Sequence, residues 1–299
     1  MSALKIVNRP KLKRPILIIA FQGWNDGGQG ATLAAGYLAR LWNATRFAEI
    51  DPEEFFDFQA TRPQVSLTDG EARELTWPEN VFFHARPEGQ DHDVVLLIGV
   101  EPNLRWRCFT ELVVGLARDL AVEQVITLGS LLADVPHTRP SPITANGDDS
   151  DAIDRLDVDT SHYEGPTGIV GVIQDGCRNA GMKTVSFWAA VPHYVSLTPS
   201  PRAALALCER VDQLLETKLD LEELEQAVDS YTESVSEAVA GDEETTSYIE
   251  ALERQSDSGE PPEEYEPGIP SGESLAAELA KFLRDRENDG GGDSGPAAG

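Results

Sequence analysis

The first two hundred residues alternate short apolar runs with segments of helical period. The runs Pro15–Phe21 (PILIIAF), His92–Val100 (HDVVLLIGV), Gln124–Leu132 (QVITLGSLL) and Lys183–Val191 (KTVSFWAAV) are strand-length and almost uninterrupted. Two shorter ones, Thr45–Ile50 and Asn80–Ala85, also have strand composition. Strands apolar at every position are buried on both faces, so the pattern predicts a mainly parallel sheet between helices, a three-layer α/β/α sandwich. The spacing predicts helices over 29–42, 105–120 and 166–180. The first carries Leu33, Tyr37, Leu38 and Leu41 on one face.

After Ser200 the pattern becomes helical. Ser200-Pro201 is a cap and first-turn pair. Leu207, Val211, Leu214 and Leu215 form one apolar face. Leu221, Leu224, Val228, Tyr231, Val235 and Ala238 then recur in steps of three and four, a seam that packs on the neighbouring helix or pairs with another chain. The expected organisation is a core domain over 1–200, a helical extension packing on it over 201–255, and an acidic Gly/Pro-rich tail over 256–299. That tail is expected to be largely disordered, with a short helix near 274–286.

Composition narrows the class. Of 299 residues, 40 % are hydrophobic, enough for a substantial core, and the net charge is −28. A chain this acidic repels phosphate backbones, which argues against nucleic-acid partners. No signal peptide or membrane span is evident, so a cytoplasmic protein is expected. Cys108, Cys177 and Cys208 form no close pair and are expected to be buried thiols.

The stretch Phe21–Gly30, FQGWNDGGQG, sits between a strand and a helix, where many proteins hold a phosphate. Gly23 and Gly28 have P-loop spacing, but Gln29 stands where the lysine belongs and Gly30 where the hydroxyl belongs. A dinucleotide fingerprint fails at Leu33, which occupies the third glycine position. The glycines leave two readings, an anion pocket of exposed amides or a structural corner filled by Asn25 or Asp26.

Further candidates gather at the expected carboxyl ends of strands, the usual crevice of an open parallel sheet. With Gly23, Asn25, Asp26, Gly27 and Gly28, the candidate pocket comprises Glu101, Ser130, His137, Arg139, Gly165, Thr167 and His193. Ser130, His137, His193, Glu101 and Asp134 could supply a nucleophile–base–acid trio, although Leu132 replaces the second glycine of a nucleophile elbow. Arg139 could grip a phosphate or carboxylate, or pair with Asp134 or Asp148-Asp149. No metal-ligand motif is present and no cofactor is expected.

Several stretches together resemble a known family. They are GWNDGGQGA, GVEP, LGSLLADVPHTRP, YEGPTGIVGVIQDGCRNAG and VSFWAAVPHYVSLTPSPRAALAL. As a set they look like the bacterial, actinobacterial-type branch of the proteasome assembly chaperone 2 family, from about residue 13 to about residue 255. The resemblance implies a nucleoside-phosphorylase-like α/β/α core with appended helices, self-association, and proteasome subunits as partners. It supplies no catalytic residues. Some assembly chaperones dock through a C-terminal hydrophobic–Tyr–any-residue tripeptide, whereas this sequence ends Pro296-Ala297-Ala298-Gly299. The expected function is therefore a non-enzymatic, homo-oligomeric interaction protein. The alternative is a binder of an anionic small molecule, or a hydrolase, using the strand-end crevice.

Overall fold

Along Ile16–Gln22, alternate side chains enter two different cores: Ile16, Ile18 and Ala20 pack on one side, Leu17, Ile19 and Phe21 on the other. That is the strand period of two inside an unbroken apolar run, and it requires a layer of helices on each face. The computed structural model describes residues 3–68, 72–156, 158–195 and 199–259.

In chain order the strands are β1 (Leu4–Ile6), β2 (Ile16–Gln22), β3 (Thr45–Ile50), β4 (Gln64–Thr68), β5 (Ala72–Thr76), β6 (Asn80–Ala85), β7 (Val94–Val100), β8 (Gln124–Ala133), β9 (Ile143–Gly147), β10 (Asp159–Thr160) and β11 (Lys183–Pro192). The helices are α1 (Gly30–Leu41), α2 (Trp106–Asp119), α3 (Ser150–Leu156), α4 (Ile169–Asn179), α5 (Pro201–Leu215), α6 (Glu222–Val239) and α7 (Glu243–Ser258). Nine strands form one sheet in the order β1-β3-β6-β7-β2-β8-β11-β9-β10, and β4 and β5 form a separate hairpin.

The four central strands, β7, β2, β8 and β11, are mutually parallel. They are the uninterrupted apolar runs. On one flank β6, β3 and β1 run antiparallel; on the other β9 pairs antiparallel to β11 and parallel to β10. The chain is thus an α/β sandwich with a mixed sheet, parallel at its centre. Helices α1, α3 and α5 cover one face, α2 and α4 the other. Helix α5 packs directly on α1 and β11, and α6 packs on α5.

Two sequence expectations change here. In α1 the fully buried face is Ala31, Ala34, Ala35, Tyr37 and Leu38, while Leu33 and Leu41 are only half-buried. The small residues turn inward because α5 lies close against them. Cys177 and Cys208 are buried, and burial pushes the Cys177 thiol up to about 12. Cys108 is instead half-buried, its sulfur 3.9 Å from Arg105 Nη2. In α6, Leu224, Val228, Tyr231 and Val235 are buried, so much of the predicted seam is spent within the chain. The segment 274–286 lies outside the described residues.

Candidate functional site

The carboxyl ends of β2, β7, β8 and β11 point to one edge of the sheet, and the loops that leave them bring most of the predicted site residues together. The glycine loop after β2 is the first. Gly28 has φ 55°, in the left-handed region, and the following Gln29 has φ 54°. This double left-handed turn reverses the chain into α1. Asp26 is buried and closes that helix: its Oδ1 accepts the amide hydrogens of Ala31 at 2.8 Å and Thr32 at 3.1 Å, and its Oδ2 accepts the Thr32 hydroxyl. Burial raises the Asp26 pKa, and these hydrogen bonds pull it back. The Ala31 and Thr32 amides at the start of α1, where a phosphate would bind, are therefore taken by the protein's own carboxylate.

Ser130 is completely buried beside this loop. Its amide donates to Asn25 O at 2.9 Å, its hydroxyl donates to Gly27 O at 2.8 Å, and Oγ accepts the Ala31 amide hydrogen at 3.3 Å. Gly30 meets α5 at close range, since a Cβ there would lie 2.8 Å from Ala203 Cβ and 3.1 Å from Ser130 Oγ. The α5 cap Ser200 donates its amide hydrogen to Gly28 O at 2.7 Å. Backbone freedom in this loop serves the docking of a helix.

Glu101 knots three loops. Its Oε1 accepts from Asn25 Nδ2 at 2.9 Å and from the Ile169 amide at 2.8 Å; its Oε2 accepts from the Trp24 amide at 3.3 Å. Asn25 is fully buried and presses against Gly168, where a Cβ would lie 2.3 Å from Asn25 Oδ1. Gly23 has φ 139°, and a Cβ there would lie 2.9 Å from Glu101 Cβ. Gly165 and Thr167 lie exposed in the loop before α4.

His137, Arg139 and His193 form a second knot, between the strand-end loops and the last two helices. His137 is buried; Tyr194 Oη accepts its amide hydrogen at 2.8 Å and lies 2.9 Å from Nδ1, while Nε2 lies 2.9 Å from Ser236 Oγ in α6. Burial, reinforced by the Arg202 charge, lowers the His137 pKa, with Glu253 opposing. His193 Nδ1 lies 3.1 Å from Asp134 Oδ1, which also accepts the Tyr248 hydroxyl of α7 at 3.0 Å. Arg139 grips Asp257 with two bonds, Nε to Oδ1 at 2.9 Å and Nη2 to Oδ2 at 3.1 Å, and reaches Glu253 at 3.3 Å. The sequence offered Asp134 or Asp148-Asp149 as its partners. The actual ones, Glu253 and Asp257, lie 114 and 118 residues on, in α7.

Ser130 thus bonds within the first knot and His137 within the second, and no hydrogen bond joins them among the described residues. Ser130 and His137 therefore do not form a nucleophile–base pair, and His193 is paired with Asp134. No group of His, Cys, Asp and Glu among the described residues is placed to hold a metal ion. A cavity of about 340 Å³ lies elsewhere, lined by Tyr37, Arg40, Asp220 and Glu223 among others, with Arg40 paired to Glu223 and the Tyr37 hydroxyl donating to Asp220 O. No helix among the described residues is long and apolar enough to cross a membrane.

Among the residues exposed at the strand-end edge, alongside polar ones such as Gln22, Asn103 and Glu164, are three large apolar or aromatic side chains. Trp24 is 62 % exposed, Leu104 48 % and Tyr163 50 %, and each belongs to one of the loops that meet at Glu101. Sequence reasoning passed over all three, because an aromatic or leucine in a loop carries no motif. Their neighbours in GWNDGG, EPNL and YEGPTG were the only signal.

A mixed sandwich whose polar loop groups are spent on one another defines a scaffold that presents loops. The PAC2 family model matches residues 20–239, and the chain belongs to the PAC2 family. It is similar to a PAC2 family protein from Streptomyces avermitilis (42 % identity over 79 % of this chain and 99 % of that one, TM-score 0.72). It is also similar to a Mycobacterium tuberculosis proteasome-assembly chaperone homologue (43 % identity over 78 % and 99 %, TM-score 0.71). A Pyrococcus furiosus archaeal proteasome activator shares the fold at 19 % identity, covering 79 % and 97 %, with a TM-score of 0.62. A search of curated proteins finds no match.

Proposed function

We propose that this chain is a non-enzymatic interaction protein of the assembly-chaperone type, a homo-oligomer in the cytoplasm that engages proteasome subunits through its strand-end loops. One observation carries the reading. Asp26, Glu101, Ser130, His137 and Arg139 are each bonded within the chain, while Trp24, Leu104 and Tyr163 stand exposed around the Glu101 knot. Large exposed side chains on loops held rigid from beneath are the usual anchors of protein interfaces. The similarity to a proteasome-assembly chaperone homologue supports the choice of partner.

The test is affinity capture from the native cell with the wild-type chain and a Trp24→Ser, Leu104→Ser variant. Recovery of proteasome α or β subunits with the wild type, reduced at least about tenfold with the variant, is expected for lost interface anchors. Failure of the wild type to recover either subunit, with both proteins expressed, overturns the reading.

A further inference from the structure

Helix α5 starts behind the buried cap Ser200, and its second residue is Arg202. That guanidinium carries five N–H donors. It makes one bond, from Nη2 to Thr232 Oγ1 of α6 at 2.6 Å. Its Nε is buried and has no acceptor. Burial lowers the Arg202 pKa, opposed by Tyr231 and Asp229. Tyr231 is 7 % exposed; its hydroxyl is turned toward the Ser200 side chain without reaching hydrogen-bonding geometry, and this oxygen has no other partner. Ser200 Oγ accepts the Ala203 amide hydrogen at 3.3 Å, which leaves its own proton to donate. The sequence has 52 acidic residues, yet among the described ones no carboxylate pairs with Arg202. Asp229 is exposed, and Glu253, which faces the neighbouring His137, is taken by Thr138 and Arg139.

We propose that this corner, at the start of α5, binds a small oxyanion: a phosphate, or the carboxylate of a small molecule. The observations ask for the same partner. A buried cation without a counter-charge is costly, and a buried hydroxyl without a partner adds to that cost. One anion relieves both. The Arg202 Nε–H, the Tyr231 hydroxyl and the Ser200 hydroxyl donate to it, and the N-terminal end of a 15-residue helix favours its negative charge. Depth sets the size of the ligand. Ser200, Tyr231 and His137 are buried, whereas Arg202, Thr232 and Ser236 are half-buried, so the approach runs between α5 and α6 and suits a small group. His137 forms a wall and not a donor, because its ring nitrogens are engaged by Tyr194 and Ser236. The inference goes beyond the interaction reading and stands whether or not the Trp24 loops engage proteasome subunits.

The test is calorimetric titration of the full chain with inorganic phosphate, and separately with acetate, in chloride buffer of constant ionic strength. Saturable binding of at least one is expected; phosphate alone marks a phosphoryl ligand and acetate alone a carboxylate. Arg202→Met removes the charge and keeps the length, and Tyr231→Phe removes one oxygen. Arg202→Met is expected to weaken binding at least about tenfold, and Tyr231→Phe less, since each takes a donor from the anion. A measurement without either anion separates binding from bracing. There Arg202→Met should melt no lower than the wild type, because it deletes a buried charge that has no partner. A lower melting temperature, with Tyr231→Phe binding as the wild type does, overturns the inference. So does the absence of saturable binding of both anions to the wild type, or binding of undiminished affinity in both variants.

Discussion

Glu101 and Ile169 stand 68 positions apart in the chain, yet Glu101 Oε1 accepts the Ile169 amide hydrogen at 2.8 Å. The same oxygen takes a bond from buried Asn25. One carboxylate therefore fixes the start of α4 and the turn of the glycine loop together. Glu101→Ala strands the Asn25 amide and the first α4 amide, and each buried donor left unpaired costs about 1–3 kcal/mol. The expected loss in urea denaturation is at least about 2 kcal/mol. Glu101→Gln keeps an acceptor at one oxygen and should lose less. Equal stability of all three proteins would show that the knot is decorative.

Gly30 is where the glycine loop touches α5. Its φ of −62° suits any residue, so what it provides is space and not backbone freedom. Gly30→Ala pushes a methyl into Ala203 and Ser130, an overpacking expected to cost about 1–3 kcal/mol. Ala203→Gly clears that space and costs about 1 kcal/mol alone, as glycine does inside a helix. The double variant should therefore be more stable than the sum of the two single losses predicts. Strict additivity in thermal or denaturant unfolding would show that the two helices are not in the contact described.

This corner shows how far the sequence can be read. The missing lysine at Gln29 ruled out a P-loop from local spacing alone, because that chemistry depends on neighbours in the chain. The central strands were equally legible, since burial on both faces writes itself into PILIIAF and VVLLIGV. What fills the loop was not legible: Ala203 and Glu101 arrive through tertiary packing, which no spacing records. The flanks were harder still. Strands β1 and β10 are three and two residues long, too short to carry a period. The β4–β5 hairpin did have a signal, alternation in QVSLT and ARELT around an Asp-Gly pair. It went unread beside stronger apolar runs. Arg139 illustrates the same limit, since acidic residues near in sequence drew attention away from α7.

His137 gives a pH prediction with a definite sign. Burial lowers its folded-state pKa below the ordinary 6.5, so the unfolded chain takes up the proton first as pH falls. Its contribution is fully present above pH 6.5 and is lost as pH drops from there through the lowered folded value. The structure agrees: His137 is buried, and the nearby Arg202 charge opposes a second positive charge there. The wild type should lose melting temperature between pH 7 and pH 5 more steeply than His137→Gln. Parallel pH profiles for the two proteins would remove His137 as the source.

The attachment of α7 is mostly polar. Only Ile249 and Leu252 of this helix are buried. Polar contacts add Arg139 on Asp257 and Glu253, Thr138 on Glu253, and Tyr248 on Asp134, while the Tyr248 ring also packs edge-on against His193 and Tyr194. Contacts of this kind weaken with salt, whereas the apolar packing of α5 does not. Hydrogen exchange should therefore show α7 amides losing protection as salt is raised, with α5 amides unchanged. Arg139→Ala should produce the same loss at low salt. Arg139→Lys should restore little of it, because a point charge cannot reproduce the two parallel bonds that the guanidinium makes to Asp257. Protection of α7 that ignores both salt and the Arg139 substitutions would mean that its apolar and aromatic contacts, Ile249, Leu252 and the Tyr248 ring, hold the helix.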